Sequence, residues 1–563
     1  MNPAISFAVR SSLGISINHG PPKFSCNDLF EAVRSKSCRT MLFSPAGDYF
    51  AYVNGLNLHL LQTEKWKTIA VIENTKSYHL SFSPKGTYLC AWEPFATNNA
   101  NPQGSPNLNI YESESGKLVK NFVHKKQTNW EPQWSADEVL FSRLVDTDIV
   151  FYNSNDFQVI NRVKSYKVMS YTISPNVENY FVVLHTQDGK GQPAIGRLFK
   201  YPMFEHQQSI ANKSFFQSDK VEFYWSAKAT HVLLLTMTEV DKTSYYGKQG
   251  LHFISTSGDT AMVTMNKEGP IYNVAWSPRD TEFCVVYGFM PSRCTIFNLK
   301  CEMIHQFSAA PRNSIYYNPQ GNILLTAGFG NLRGHIELWD IASKKLIGSC
   351  EAADSTLLQW SPDGTHFLTA TTAPRLRIGN GYKVWHYSGA LIHEHPYKEN
   401  DELYDVAWQK APKDAFKEPA VNFQKVEGIV SNQPQASKEA YRPPSARNRP
   451  PITFKLHDDD SDGQLPPAAP SKAALKQKKK RENKKARKQQ EEPNSNPPIT
   501  STVSVILTED EEKNKKIKNI KRKLDAIGKL KDQQSQGKVL EVNQLAKIKS
   551  EDELMVELKK LQL

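Results

Sequence analysis

Over the first 410 residues, apolar positions come in short runs broken by Pro, Gly, Ser, Asn and Asp. No run keeps the helical period, and none approaches the roughly 18 apolar residues that a membrane helix needs. One phrase recurs: an apolar or aromatic residue, then Ser or Asn, often Pro, then a turn with Gly or Asp. It reads Phe43-Ser44-Pro45 with Gly47, Phe82-Ser83-Pro84 with Gly86, Trp134-Ser135 with Asp137, and Ile173-Ser174-Pro175. It continues as Trp225-Ser226, Trp276-Ser277-Pro278 with Asp280, Tyr317-Asn318-Pro319 with Gly321, Trp360-Ser361-Pro362-Asp363-Gly364, and last Trp408-Gln409. Counted on the Ser, Asn or Gln, the spacings are 39, 52, 39, 52, 51, 41, 43 and 48.

Each unit reads as a small antiparallel sheet. A strand such as Leu80-Ser81-Phe82 enters the phrase. Pro presets φ and Gly tolerates positive φ, which makes a tight turn. A second strand follows, as in Tyr88-Leu89-Cys90-Ala91-Trp92. A third is represented by Ile336-Glu337-Leu338-Trp339-Asp340 and Tyr382-Lys383-Val384-Trp385, and a fourth by Lys345-Leu346-Ile347. Four strands in about 40 to 50 residues is the period of a propeller blade. Trp339-Asp340 is the WD dipeptide. The expected fold is therefore all-β: a nine-bladed WD-type β-propeller over residues 1–410. The ninth phrase has no strands after it. The strand pair Ile5-Ser6-Phe7-Ala8-Val9 and Leu13-Gly14-Ile15-Ser16-Ile17 is predicted to complete that blade, which would close the ring with both chain ends and remove sheet edges. The gaps of 51 and 52 leave room for inserted loops or a further blade.

Charge separates the chain into regions. The protein has 563 residues and a formal net charge of +12. Residues 411–563 carry 32 Lys and Arg against 22 Asp and Glu, a net of +10; residues 1–410 carry 38 against 36, a net of +2. Residues 411–507 read as a disordered linker. Its first part is rich in Pro, Ser, Asn, Gln and Ala, too poor in apolar groups to offset ordering entropy. Residues 472–488 follow, with ten basic residues and one acidic. The cations Lys478, Lys479, Lys480, Arg481, Lys484, Lys485, Arg487 and Lys488 are candidate contacts for RNA phosphates. The alternative is a solvated run or a nuclear-import signal. No aromatic residue interleaves with them, so such contacts would hold backbone without reading bases.

Residues 508–563 read as short amphipathic helices. Thr508-x-x-Glu511 and Ser550-x-x-Glu553 have the capping-box pattern. Ile517, Ile520, Leu524, Ile527 and Leu530 fall on one helical face, followed by Leu540, Leu545 and Ile548 and then Leu554, Leu558 and Leu561. These stripes either pack on each other or meet a partner's groove.

The motifs of catalysis and metal binding are missing. No Walker-type phosphate loop occurs, so nucleotide hydrolysis is not expected. Gly328-Phe329-Gly330-Asn331-Leu332-Arg333-Gly334 has the wrong spacing for a dinucleotide loop and reads as a hairpin connection. His393-Glu394-His395 would alternate across a strand and offers no third ligand. Asp458-Asp459-Asp460-Ser461-Asp462-Gly463 opens like a calcium loop, but Ala469 replaces the required Glu; Ser461 is a candidate phosphorylation site instead. No cofactor, no metal and no enzymatic activity are expected. Seven scattered Cys without metal spacing, and an N-terminus lacking the features of a signal peptide, point to a cytoplasmic protein with no membrane association.

Three phrases together are more specific than the repeat. They are Arg39-Thr40-Met41-Leu42-Phe43-Ser44-Pro45, Gly328-Phe329-Gly330-Asn331-Leu332-Arg333-Gly334-His335-Ile336, and Thr371-Thr372-Ala373-Pro374-Arg375-Leu376-Arg377 with Asn380-Gly381-Tyr382-Lys383. In these the chain resembles the eukaryotic translation initiation factor 2A family, from residue 1 to 563. The resemblance implies a nine-bladed propeller and a factor that binds initiator tRNA and mRNA on the small ribosomal subunit without GTP. It implies a role in alternative or stress-related initiation, and contact with other initiation factors, including the subunit-joining GTPase. The propeller subunit of initiation factor 3 is a more distant likeness, because it carries an RNA-recognition domain before its propeller. Arg375, Arg377 and Lys383 are candidate RNA contacts on the propeller, or else a solvated hairpin. The competing functional reading is a scaffold for protein assembly with a nonspecific basic tail.

Overall fold

The computed structural model describes residues 5–431 except 98–101, 103, 165, 188–191, 216–217 and 239–246, together with residues 524, 527, 528, 531, 551 and 555. The chain divides into two compact units, Met1–Arg442 and Pro443–Leu563.

The first unit is a nine-bladed propeller. Eight blades are four-stranded antiparallel sheets whose strands pair in chain order, spanning residues 38–72, 79–122, 133–163, 168–215, 220–262, 271–306, 314–351 and 357–396. The ninth joins Leu403–Trp408 to Ser6–Ser11 and Gly14–His19. Here the register sets Phe7 opposite Trp408, Val9 opposite Val406 and Arg10 opposite Asp405. Bridges from Ile15 to Val33 and from Asn18 to Cys26 give this sheet a partial fourth edge. The wide repeat gaps hold long connections, such as residues 201–210 with the turn His206–Gln208, and among the described residues no further blade.

The recurring phrase is a turn cap. The Ser44 hydroxyl accepts the Tyr49 amide at 3.0 Å, Ser83 that of Tyr88 at 2.9 Å, and Ser135 that of Leu140 at 2.9 Å. Asn318 uses its side-chain oxygen in the same way on Ile323, at 3.0 Å. These residues are fully buried, so the bond satisfies an amide that water cannot reach. Three positions after the Ser or Asn, the backbone turns left-handed, at Gly47, Gly86, Gly321 and Gly364. Glu138 and Asp280 adopt that conformation without being glycine. Each reaches the preceding blade: Lys85 N–H donates to Glu138 at 2.6 Å, and the Thr230 hydroxyl donates to Asp280 at 3.0 Å. The phrase Trp also ties blades together: Trp276 donates to the Tyr224 carbonyl at 2.8 Å and Trp360 to that of Tyr316 at 3.3 Å. In the ninth blade the chain leaves instead of turning, and the Gln409 amide donates to the Gly47 carbonyl at 3.0 Å.

The core lies between blades. Nine apolar clusters each draw on two neighbouring blades; one joins Ala51, Val53 and Leu60 to Leu89 and Ala91. Middle strands are covered on both faces, so they read as continuous apolar runs: every residue of Glu282–Tyr287 is buried.

Two measurements follow from this packing. Ser135→Ala strands the buried Leu140 amide and is expected to lower stability by roughly 1–3 kcal/mol, read as a lower thermal midpoint. Burial also pushes the imidazoles of His185, His252 and His386 down to about 4. An unfolded histidine titrates near roughly 6.5, so between these values the unfolded chain binds the extra protons. Stability is therefore complete above about pH 6.5 and falls as the pH drops toward 4, which thermal melts across that range will show.

Candidate nucleic-acid interface

One face of the ring carries the tight turns between first and second strands; the other carries the longer connections between second and third strands and between blades. Two of the sequence phrases meet on this second face. Residues 328–334 join the middle strands Ile323–Ala327 and His335–Asp340 of blade 7. The Asn313 side chain clamps Phe329, donating to its carbonyl at 2.8 Å and accepting its amide at 2.9 Å. Gly334 sits at φ 78°, where a Cβ would collide with the Ala352 carbonyl. Beneath the loop lies a buried ion pair. Arg312, 2% exposed, donates to Glu337 and to the Ser308 carbonyl, and its own carbonyl accepts the Ser292 hydroxyl.

Residues 372–380 form the matching loop of blade 8. Asn380 fixes it, donating to the Leu376 carbonyl at 2.8 Å and accepting the Leu403 amide at 2.9 Å. The Arg375 guanidinium lies beside Gly330, which joins the two loops. Arg377 is exposed and pairs with Glu402 at 3.4 Å. Lys383 does not share their surface. It stands within strand Gly381–His386, largely covered, 3.6 Å from Glu394 and donating to Ser431 at 3.0 Å. His393 and His395 stack instead on Phe24 and Tyr382, with Glu394 between them engaged by Lys383 and Ser431. Among the described residues no group of three or more His, Cys, Asp or Glu could hold a metal ion.

The linker expected from residue 411 begins as a strap on the blades. Glu418 pairs with Arg279 at 2.6 Å, and Asn322 donates to the Pro419 carbonyl at 2.7 Å. The Tyr387 hydroxyl donates to the Ala420 carbonyl and accepts the Asn422 amide, both at 3.1 Å. Val421 packs into the cluster between blades 7 and 8, and Ile429 N–H donates to Leu391 on the outer strand of blade 8 at 2.7 Å. The strap has no core of its own. It is ordered by polar groups that the blades present, which composition alone does not register.

Of the tail sites, Lys478, Lys479, Lys480, Arg481, Lys484, Lys485, Arg487, Lys488 and Ser461 lie outside the described residues, as do Ile517, Ile520 and Leu530. Leu524 and Ile527 are helical, and Ile527 is buried. Lys531 pairs with Glu551 within the second unit. No helix among the described residues is long and apolar enough to cross a membrane.

Sequence reading missed a group of aromatic and basic side chains on the connection-bearing face of blades 1 to 3. Arg39 stacks over the exposed Tyr78 at 5.0 Å, Lys125 lies over Phe95 at 5.7 Å, and His79 stacks on Trp130 at 5.7 Å. Their spread over four segments hid them; single exposed aromatics were the signal available.

Comparison with known proteins identifies the lineage. The profile of the family described as "Eukaryotic translation initiation factor eIF2A" matches residues 213–406. Eukaryotic translation initiation factor 2A of Drosophila melanogaster is 43% identical over 458 residues, covering 78% of this chain and 72% of that protein. The Schizosaccharomyces pombe factor of the same name is 32% identical over 100% of this chain and 99% of its own length. The chain belongs to the eukaryotic translation initiation factor 2A family. A crystal structure of a eukaryotic initiation factor superposes with a TM-score of 0.67 at 33% identity, covering 73% of this chain and 100% of that one. Within this initiation-factor propeller, the joined loops of blades 7 and 8 rest on the Arg312–Glu337 pair. Arg312→Leu leaves the largely covered Glu337 carboxylate with only the Thr326 hydroxyl and His335 beside it, and is expected to cost about 3 kcal/mol in denaturant unfolding. The double change Arg312→Leu with Glu337→Leu should recover much of that stability.

Proposed function

We propose that this initiation factor works by binding alone. It holds initiator tRNA and mRNA at the small ribosomal subunit without hydrolysing a nucleotide, in the cytoplasm, in alternative or stress-related initiation. The observation that carries this reading, within a translation factor family, is the segregation of charge: +10 of the net +12 lies in residues 411–563, beyond the ring. Ten cations in residues 472–488 release counterions when they neutralise phosphates, a strong but unselective grip. The propeller adds a shaped surface, with Arg375 and Arg377 on a fixed loop. Other initiation factors, including the subunit-joining GTPase, meet the amphipathic stripe Ile517, Ile520, Leu524, Ile527 and Leu530. Phosphorylation of Ser461 would add negative charge upstream of the basic run and weaken its hold on RNA.

The test compares labelled initiator and elongator tRNA by fluorescence anisotropy over a salt series. The proteins are the full chain, the chain ending at Ser431, and the full chain with the eight cations from Lys478 to Lys488 changed to Gln. The full chain should prefer initiator tRNA at physiological salt. For every phosphate that the altered tail no longer neutralises, the slope of log K against log salt should shrink by roughly 0.7 to 0.9. If both tRNAs bind alike and moderate salt abolishes binding, tRNA selection is wrong and the propeller is a protein scaffold with a polycationic tail.

A further inference from the structure

Trp130 of the aromatic and basic group lines a cavity of about 280 Å³ between blades 3 and 4. Trp130, Asn129, Glu131 and Gln133 line it from the connection between blades 2 and 3 and its first strand; Ser170 and Tyr171 line it from blade 4. The hydroxyls are committed: Tyr171 bonds Ser142 at 2.8 Å and Ser170 bonds His185 at 3.3 Å. Glu131 accepts the Ser81 hydroxyl at 2.5 Å. The side-chain amides of Asn129 and Gln133 make no hydrogen bond with any described residue. The Trp130 ring is braced by His79, which is itself held by Gln127 at 2.8 Å. Lys125 and Lys126, on the segment that leads to Asn129 and Trp130, are exposed, as are Lys76 and Arg39; Tyr78, next to the His79 that braces Trp130, is 49% exposed under the Arg39 guanidinium. The exposed carboxylate of Glu131 lines the cavity itself, so its charge is not uniformly positive.

We infer that this is a site for an unpaired base of single-stranded RNA. A braced indole, two free amides and a carboxylate surround a space suited to one base, while the cations stand on the neighbouring segments where flanking phosphates run. Proteins that select single-stranded RNA stack bases on aromatic rings and hydrogen-bond their edges with amides and carboxylates. A duplex cannot present a base in this way. Glu131 would repel a phosphate in the cavity but accept a base N–H there. Arg39, with its guanidinium over the Tyr78 ring, would present N–H groups to a phosphate beside a second aromatic platform. The site rests on the RNA-binding reading above and adds to it what the tail lacks, a means of sensing bases.

The experiment measures binding of a labelled unstructured 12-nucleotide RNA and of a perfectly paired duplex of that length. Each is tested with the full chain and with the full chain whose eight tail cations are changed to Gln. Tyr78→Ala and Gln133→Ala are made in both backgrounds, and unchanged thermal midpoints establish that they fold. Each is expected to lower single-strand affinity roughly tenfold, with an unaltered salt slope and unaltered duplex binding. Lys125→Gln with Lys126→Gln should reduce the salt slope for both RNAs. If the parent chain binds RNA and Tyr78→Ala and Gln133→Ala bind the single strand as tightly as it does, the base site is overturned and the RNA-binding function stands. If the parent chain binds neither RNA, both fall.

Discussion

The propeller depends on the pairing of Leu403–Trp408 with Ser6–Ser11. The nine clusters lie between blades, so each blade needs both of its neighbours. An open ring would expose two apolar faces and two sheet edges at once. The closing pair is built accordingly. Phe7 packs edge-on against both Trp408 and Tyr382, which joins the N-terminal strand to the core between blades 8 and 9. Ser12 and Glu402 exchange hydrogen bonds at one end, and Gln409 reaches blade 1 at the other. Residues nearly 400 positions apart thus complete a sheet that no local segment could form.

A closed ring leaves its connections as the place where function varies. On one face the turns are short and locked by buried hydroxyl and amide caps. The other face gathers the clamped loops of blades 7 and 8 and, across blades 1 to 3, the rings and cations around Trp130. The strap divides the outside of the molecule further. It covers the outer edge of blade 8 and engages Lys383 and Glu394, so that edge is not an open strand for another chain. Most of the excess positive charge lies beyond the strap. Shaped surface in the ring and net charge in the tail thus belong to separate parts of the chain.

Particular residues mark how far sequence reading reached. The phrase around Ser44, Ser83 and Asn318 announced the blades because its chemistry is local: a hydroxyl or amide, often a proline, and a left-handed position within a few residues. The strand pair at residues 5–17 was legible for the same reason. Lys383 was misplaced beside Arg375 and Arg377, since nearness in sequence stood for nearness in space. The two arginines lie on the loop, whereas Lys383 lies in the strand that follows it, where Glu394 and the strap engage it. The strap itself was read as linker, because its few apolar residues give no periodic signal and its partners lie up to 139 residues upstream, as with Arg279 and Glu418. The Trp130 site was not legible at all: its residues come from stretches that carry no shared motif.

By itself, then, the sequence determined nine repeats of a blade phrase, the strand pattern within each blade, the closure by both ends and the placing of net charge in the tail. These follow from short-range hydrogen bonding, alternation and composition, which a linear reading can see. Only the tertiary structure decided which loops touch, which cations are already paired, and where rings and free amides converge. Those outcomes depend on the angular order of blades around the axis, which brings together side chains that the chain itself keeps tens to hundreds of residues apart.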